Sequence, residues 1–170
     1  MPSESFSPIA AEGARVLILG SLPGKRSLAE QQYYAQPQNA FWRIMGELFG
    51  AGPELPYADR TERLSASGIA LWDVIASAER PGSLDSSIVG ATVVVNDFAA
   101  LFSRCQTLEL VCFNGAKAAE LFERRVRPAL DGDFSHLTYE RLPSTSPANA
   151  AMRYDEKLAR WSIVRDALSA

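Results

Sequence analysis

The chain has 170 residues, of which 47% are hydrophobic and 22% charged, and its formal net charge is −3. This composition is typical of one globular domain and excludes a globally basic nucleic-acid binder, so any contact with nucleic acid requires a local patch. Two cysteines and one histidine are too few for a disulfide framework or a multi-histidine metal site. The sequence shows no signal peptide and no apolar run of roughly 18 residues, the length of a membrane span. We therefore expect a soluble, cytoplasmic protein without metal or cofactor.

Four apolar segments alternate with helical patterns along the chain. Each segment suits a strand buried on both faces, and they cover residues 15–19, 69–75, 108–113 and 137–142. Helical spacing of apolar residues is found over residues 40–49, 59–66, 116–125 and about 150–168, and Asn96 is expected to cap a further helix. The alternation predicts an α/β fold: a three-layer αβα sandwich with a central four-stranded parallel sheet.

The first residues differ in composition from the rest of the chain. Residues 1–14 are polar and contain several serines and prolines, which indicates a flexible N-terminal arm with at most one docked turn. No repeat or linker divides residues 15–170, so we expect a single α/β domain there.

Polar loops follow the predicted strands. They cover residues 20–39, 80–87, 114–115 and 143–149. In open α/β sheets, ligands bind in the crevice beyond the carboxyl ends of the strands. The first loop contains two glycines, paired tyrosines and amides, and it lacks the glycine spacing of a phosphate-binding P-loop. It is therefore expected to form a binding wall for a flat, polar ligand.

Several short motifs in this order resemble the uracil-DNA glycosylase superfamily, and more narrowly its hypoxanthine-DNA (deoxyinosine) glycosylase branch. They are Gly20-Ser-Leu-Pro-Gly24, Gln31-Gln-Tyr-Tyr34, Pro37-Gln-Asn-Ala-Phe-Trp42, Leu71-Trp-Asp-Val-Ile75, Pro81-Gly-Ser-Leu-Asp-Ser-Ser87, Phe113-Asn-Gly115 and Ser144-Thr-Ser-Pro-Ala-Asn149. The resemblance implies a monomeric, monofunctional DNA repair glycosylase that acts on DNA without a metal. Such an enzyme flips a deaminated base out of DNA, hydrolyses its N-glycosidic bond and leaves an abasic site. The expected base is hypoxanthine, with uracil as a second substrate.

The base-binding residues implied by the resemblance are Gly20, Ser21, Leu22, Phe41 and Asn114. Phe41 could stack on the base, although its position also fits core packing. The Asn114 amide offers an acceptor and donors that match N1–H and O6 of hypoxanthine, and equally N3–H and O4 of uracil. It rejects adenine only if neighbours fix its orientation. The alternative for Asn114 is a plain turn or cap.

Asn39 is the expected catalytic residue. Many members of the superfamily have Asp or Asn two positions after the first glycine of the opening turn, to position the attacking water. Leu22 stands there in this chain. The resemblance to the hypoxanthine branch transfers this role to Asn39, which could orient water toward C1′. Asn39 could also cap the helix that follows, and the two roles are compatible.

The DNA-binding residues are expected in three loops. They are Pro23, Gly24, Lys25, Ser83, Ser144, Thr145, Ser146, Pro147, Asn149 and Arg153. Residues 143–149 match the motif that probes the minor groove, where hydroxyls and backbone amides can hold phosphates. Lys25, Arg26 and Arg153 could supply positive charge, or could be ordinary solvated residues. Ser144 replaces a histidine that some relatives carry, which counts against uracil activity.

Two other functions remain open at this point. The same flat pocket could serve a hydrolase of free nucleosides or nucleotides. A lesion-binding module with weak catalysis is the second alternative, because Leu22 and Ser144 replace residues that act in relatives.

Overall fold

The structure is a computed structural model, and it describes residues 2–130 and 134–169. Residue 1 of the predicted arm and residues 131–133 and 170 of the predicted domain lie outside the described residues. In chain order the elements are β1 (Ser3–Glu4), β2 (Val16–Gly20), α1 (Lys25–Glu30), α2 (Phe41–Phe49), α3 (Tyr57–Ala66), β3 (Ile69–Asp73), β4 (Ile75–Ala78), β5 (Val94–Val95), α4 (Phe98–Arg104), β6 (Leu110–Asn114), α5 (Ala116–Leu121), β7 (Thr138–Leu142) and α6 (Tyr154–Ser169).

The central sheet has four parallel strands in the order β3-β2-β6-β7. Every residue of β2, β3 and β6 is buried, because helices cover both faces of these strands. One core forms under α4 and α5, and the other lies under α2, α3 and α6. The predicted three-layer αβα sandwich is confirmed.

The strand order creates the crevice that holds the site. The chain runs from β2 to β3 on one side and later returns to add β6 on the other side of β2. Ligands bind at such a switch point, beyond the carboxyl ends of the strands. Gly20 ends β2 and Asn114 ends β6 at this position.

The N-terminal residues are docked rather than loose. Ser3 and Glu4 pair with β4 in a small second sheet of order β1-β4-β5, and Ile9 bridges Leu71. The Phe6 ring packs edge-on against Tyr33 at 5.1 Å. The prediction of a flexible arm is therefore wrong for residues 2–14, because a few apolar anchors outweigh its polar composition.

Three other boundaries differ from the sequence-based expectations. The segment predicted as one strand over residues 69–75 is divided, because β3 ends at Asp73 and the chain enters the second sheet at Ile75. Asp97, and not Asn96, caps α4, since its side chain accepts the Ala100 N–H. The last helix begins at Tyr154, so the polar loop before it is longer than expected.

Candidate active site

A cavity of about 1540 Å³ opens at the carboxyl ends of the four parallel strands. It is lined by most residues that the sequence indicated, namely Gly20, Ser21, Leu22, Pro23, Gly24, Lys25, Asn39, Ser83, Asn114, Ser144, Thr145, Ser146, Pro147 and Asn149. Phe41 and Arg153 do not line it. Loops that lie far apart in the sequence therefore meet at one edge of the sheet.

Asn114 projects from the end of β6 and is only 8% exposed. Its Nδ2 donates to Thr145 Oγ1 at 2.9 Å, and its Oδ1 accepts the Thr145 backbone N–H at 2.9 Å. A backbone N–H can only donate, so the positions of the amide oxygen and nitrogen are determined. One lone pair and one N–H of the amide remain for a ligand. The neighbours thus fix the orientation of the amide.

Thr145 connects the two halves of the site. Besides holding Asn114, its backbone carbonyl accepts the Ala40 N–H at 2.9 Å, directly beside Asn39. Thr145 is 1% exposed, so the prediction that its side chain contacts DNA does not fit this geometry. The hydroxyl instead satisfies a buried amide, which is the usual fate of a buried polar group.

Asn39 lies on the wall of the cavity, just before α2. Its Oδ1 accepts the Phe41 N–H at 2.9 Å, so it satisfies a free donor at the start of this helix. The cap position itself is Ala40, one residue later than expected. A carboxamide oxygen has two lone pairs, so this bond leaves one lone pair and the Nδ2 hydrogens for a water molecule.

The aromatic wall of the cavity is Tyr34 rather than Phe41. Phe41 is fully buried, and the Tyr34 ring stacks on it at 4.0 Å with 23° between the planes. The prediction that Phe41 stacks directly on the base therefore disagrees with the structure. An aromatic residue at the start of an amphipathic helix gives the same pattern for core packing as for a site, so sequence alone does not separate them.

Tyr34 itself is held in an unusual state. Its φ of 55° is left-handed, which is uncommon for a bulky residue. Its hydroxyl is buried and has no hydrogen-bond partner among the described residues. Burial, followed by the charge of Asp73, raises the pKa of this hydroxyl well above its ordinary value, so it stays protonated. Backbone strain and unpaired polar atoms cluster at functional sites.

The opening turn is held from below by a buried arginine. Arg80 donates from Nη1 to the Leu22 carbonyl at 3.3 Å and from Nη2 to the Pro23 carbonyl. Ser21 Oγ hydrogen-bonds Asp85 Oδ1 at 2.5 Å, and the Lys25 N–H donates to Ser83 Oγ at 3.0 Å. These contacts fix the loop over residues 20–25 against the loop over residues 80–87.

The loop before α6 is ordered by its own hydroxyls. Ser144 Oγ accepts the Ser146 N–H at 3.2 Å, and Ser146 Oγ accepts the Ala148 N–H at 3.2 Å. Asn149 Nδ2 donates to the Ser144 carbonyl at 3.2 Å. Both serine hydroxyls act as acceptors here, so each keeps its hydrogen for an external acceptor such as a phosphate.

The cationic edge of the cavity differs in part from the prediction. Of the three predicted cations, Lys25 and Arg26 line the cavity, whereas Arg153 is exposed and does not line it. Three further cations line it and were missed from the sequence: Lys117, Arg141 and Arg160. They come from α5, β7 and α6, so only the fold brings them together.

Asp73 is the principal residue that sequence reasoning overlooked. It ends β3 beside Gly20, lines the cavity and is 4% exposed. Its Oδ2 has no hydrogen-bond partner within the described part of the chain. Burial, reinforced by the nearby charge of Asp85 and opposed by Arg80, raises the pKa of its carboxyl to about 7. A charged residue inside an otherwise apolar strand was the available signal.

Within the described residues, neither a metal-binding cluster nor a membrane-spanning helix is found. Residues 2–130 and 134–169 contain no group of three or more His, Cys, Asp or Glu side chains suited to a metal ion. No helix in the same ranges is long and apolar enough to cross a membrane.

Fold and cavity together define an α/β protein with a cavity at a topological switch point. A buried amide lines this cavity, and its edges carry cations. Comparison with known proteins gives the family. The uracil DNA glycosylase superfamily matches residues 7–167, and the chain belongs to it.

Relatives with names are found in two species of Methanosarcina. The chain is 39% identical over 167 residues to a hypoxanthine DNA glycosylase of Methanosarcina acetivorans, covering 96% of this chain and 98% of the relative. It is 39% identical over 121 residues to a hypoxanthine DNA glycosylase of Methanosarcina barkeri, covering 71% and 75%. The solution NMR structure of a uracil DNA glycosylase candidate from Methanosarcina acetivorans superposes with a TM-score of 0.82 at 34% identity, covering 100% of both chains.

Proposed function

We propose that this chain is a monofunctional DNA glycosylase that releases hypoxanthine from deoxyinosine in DNA and leaves an abasic site. The observation that carries the proposal is the Asn114 amide, held by Thr145 in one orientation at the edge of the cavity. Its free lone pair and N–H match N1–H and O6 of hypoxanthine, whereas adenine presents an acceptor and a donor in reversed order. Uracil presents the same pattern as hypoxanthine, so its release is also compatible with the site.

The reaction needs an oriented water and a stabilised leaving base. Asn39 is the proposed water-positioning residue, with the free lone pair of its Oδ1 directed at a water that attacks C1′. An amide is a weak base, but the departing base leaves an electron-poor sugar that reacts readily with a positioned water. The leaving base gains negative charge, which the Asn114 N–H at O6 stabilises. Gly20, Ser21 and Leu22 form the neighbouring wall.

DNA, rather than a free nucleoside, is the substrate that the cavity favours. Its volume of about 1540 Å³ exceeds the roughly 300–1,000 Å³ usual for small-ligand sites. Cations at its edge suit a phosphate backbone on either side of a flipped nucleotide. The proposed backbone contacts are Pro23, Gly24, Lys25, Ser83, Ser144, Ser146, Pro147 and Asn149, joined by Lys117, Arg141 and Arg160. The protein is proposed to act as a monomer inside the cell.

One experiment tests the reaction class. Duplexes bearing hypoxanthine, uracil, xanthine or a mismatch are incubated with the protein, and abasic sites are then cleaved by alkali. We expect cleavage at hypoxanthine, no effect of a chelator and no adduct trapped by borohydride. Lesion binding without base release would identify a binding module. Release from free deoxyinosine without release from DNA would identify a nucleoside hydrolase.

A further inference from the structure

Asp73 is a second polar side chain that lines the same cavity as Asn114. Gly20 lies between Asp73 and Asn114 in the sheet order, and it has no side chain to separate them. A Cβ built on Gly20 would lie 2.6 Å from Asp73 Oδ1 and 3.0 Å from Tyr34 Oη. Asp73 and Tyr34 thus converge on one point above Gly20. The Asn114 amide also lies close enough to the Tyr34 hydroxyl to oppose the rise in its pKa.

The depth of Asp73 decides which part of a nucleotide it can meet. The sugar of a flipped nucleotide stays attached to the backbone at the mouth of the cavity, whereas Asp73 is 4% exposed at the end of a buried strand. We therefore expect its carboxyl to meet the far edge of the base rather than C1′. On hypoxanthine, the acceptor next to O6 on that edge is N7. A carboxyl that is buried and unpaired can donate to N7 only when it carries a proton.

We propose that Asp73 is a catalytic residue for purine release, acting as the acid that protonates N7 while Asn114 holds N1–H and O6. This role rests on the proposed glycosylase function. The Asp73 O–H bond breaks and an N7–H bond forms, while the C1′–N9 bond breaks and its electron pair moves onto the base. Water forms the new C1′–O bond and loses a proton to solvent. The proton at N7 neutralises the negative charge that develops on the base as the C1′–N9 bond breaks, so hypoxanthine departs neutral. The Asp73 carboxylate regains a proton from solvent.

The charged groups around Asp73 support this protonation state. Burial and, second to it, the charge of Asp85 raise the pKa of its carboxyl, Arg80 opposes them, and the resulting pKa is about 7. The charge of Asp73 in turn raises the pKa of the Tyr33 and Tyr34 phenols, so both stay protonated. The acid form is therefore populated up to about pH 7, so the rate should fall above that pH as the proton is lost.

The test is a pH profile of single-turnover base release from a hypoxanthine duplex. Wild-type rates should fall tenfold per pH unit above about pH 7, whereas Asp73→Asn should lose roughly 10²- to 10⁴-fold below pH 7 and should lack this limb. Asp85→Asn is the matched control. It keeps the acid but removes the charge that raises its pKa, so the limb should persist and move to lower pH.

A second substrate isolates the N7 contact. On a duplex with 7-deaza-2′-deoxyinosine, which has C–H in place of N7, wild type should slow strongly and Asp73→Asn should slow no further. Melting curves and retention of the hypoxanthine duplex in a gel shift show whether the variant folds and binds.

Three outcomes would overturn the role of Asp73. They are an Asp73→Asn variant with wild-type rates, an unchanged basic limb in that variant, or a wild-type rate that rises through the same titration. The last outcome would make the carboxylate a base. A wild-type protein that releases no base from any duplex contradicts the proposed function itself, and this role with it. If wild type releases hypoxanthine and Asp73→Asn does so at the same rate, the role of Asp73 is contradicted and the proposed function stands.

Discussion

The two sides of the cavity differ in how completely their polar groups are paired. On the β6 side, both atoms of the Asn114 amide are bonded to Thr145, whose carbonyl in turn holds the Ala40 N–H. On the β3 side, Asp73 Oδ2 and Tyr34 Oη are buried with no partner among the described residues. Paired buried groups rigidify a structure, whereas unpaired ones cost stability and are kept where function uses them. We therefore propose that the first side recognises the base and that the second side supplies the proton.

A substitution at Asn114, the centre of the paired side, should slow base release more than substitutions at Asn39 or Thr145. Asn114→Asp keeps the shape, but an ionised carboxylate cannot donate to O6 of the leaving base. We expect a loss of about 10²- to 10³-fold in single-turnover release of hypoxanthine, as for removal of a donor that stabilises developing charge. The Thr145 N–H can still donate to the new carboxylate, so the melting temperature should change little. Wild-type rates for this variant would remove Asn114 from the site.

Substitutions at Asn39 can separate its hydrogen bond to the Phe41 N–H from its proposed contact with water. Ser, Asp and Asn are similarly good at helix N-termini, so Asn39→Ser and Asn39→Asp should melt close to wild type. Ser is too short to hold the water, and we expect its rate to fall by about 100-fold, whereas Asp should keep measurable activity. Single-turnover rates and melting curves on the same samples decide this. A fully active Asn39→Ser would leave the water without an identified partner.

Titration of Asp73, on the unpaired side, should also make the free energy of unfolding depend on pH. Its carboxyl has a pKa of about 7 in the native state, above its ordinary value of 3.8, so between these pH values the native state binds a proton that the unfolded state has lost. Stability should therefore fall as pH rises from about 4 to 7, by a few kcal/mol at most. Asp73→Asn should lack this loss and be the more stable protein at pH 8. Urea unfolding curves of wild type and Asp73→Asn, measured at several pH values, test this prediction. A wild-type free energy of unfolding that rises between about pH 4 and pH 7 would contradict it.

Thr145→Val removes the hydroxyl that accepts the Asn114 Nδ2 hydrogen bond and keeps the backbone N–H that donates to Asn114 Oδ1. It leaves the Asn114 Nδ2 hydrogen without its acceptor, which should cost about 1–2 kcal/mol of stability and roughly tenfold in rate. Thr145→Ser restores the hydroxyl and should recover most of both. Affinity for undamaged duplex should stay unchanged in both variants, since this hydroxyl is buried. A selective loss of that affinity would return Thr145 to the DNA-binding residues.

The sequence predicted the strands and the loops at their carboxyl ends because both depend on local pattern. Apolar runs stopped by glycine or asparagine are visible in one chain, and so is their alternation with helices. Which side chain of a loop turns inward depends on partners far away, and this is why Thr145 was predicted to contact DNA. Phe41 was misjudged because Tyr34 covers its ring. Asp73 could have been found, since a carboxylate within a doubly buried strand needs a reason.

Two adjacent tyrosines, Tyr33 and Tyr34, should respond differently to the same substitution. Tyr33 Oη donates to the Ser7 carbonyl at 3.0 Å, whereas Tyr34 Oη is buried without a partner. Tyr33→Phe should therefore destabilise the protein by about 1 kcal/mol, because it leaves a carbonyl unpaired. Tyr34→Phe should be neutral or stabilising by up to about 1 kcal/mol, because it removes a desolvated hydroxyl and keeps the stacking on Phe41.

Denaturant unfolding of both variants beside wild type measures the difference, and the difference is more reliable than either value alone. If Tyr34→Phe proves as destabilising as Tyr33→Phe, the Tyr34 hydroxyl has a partner in solution, and the β3 side of the cavity is as fully paired as the β6 side. A stabilised Tyr34→Phe that releases hypoxanthine more slowly would instead show that this hydroxyl is retained for the reaction at the expense of stability.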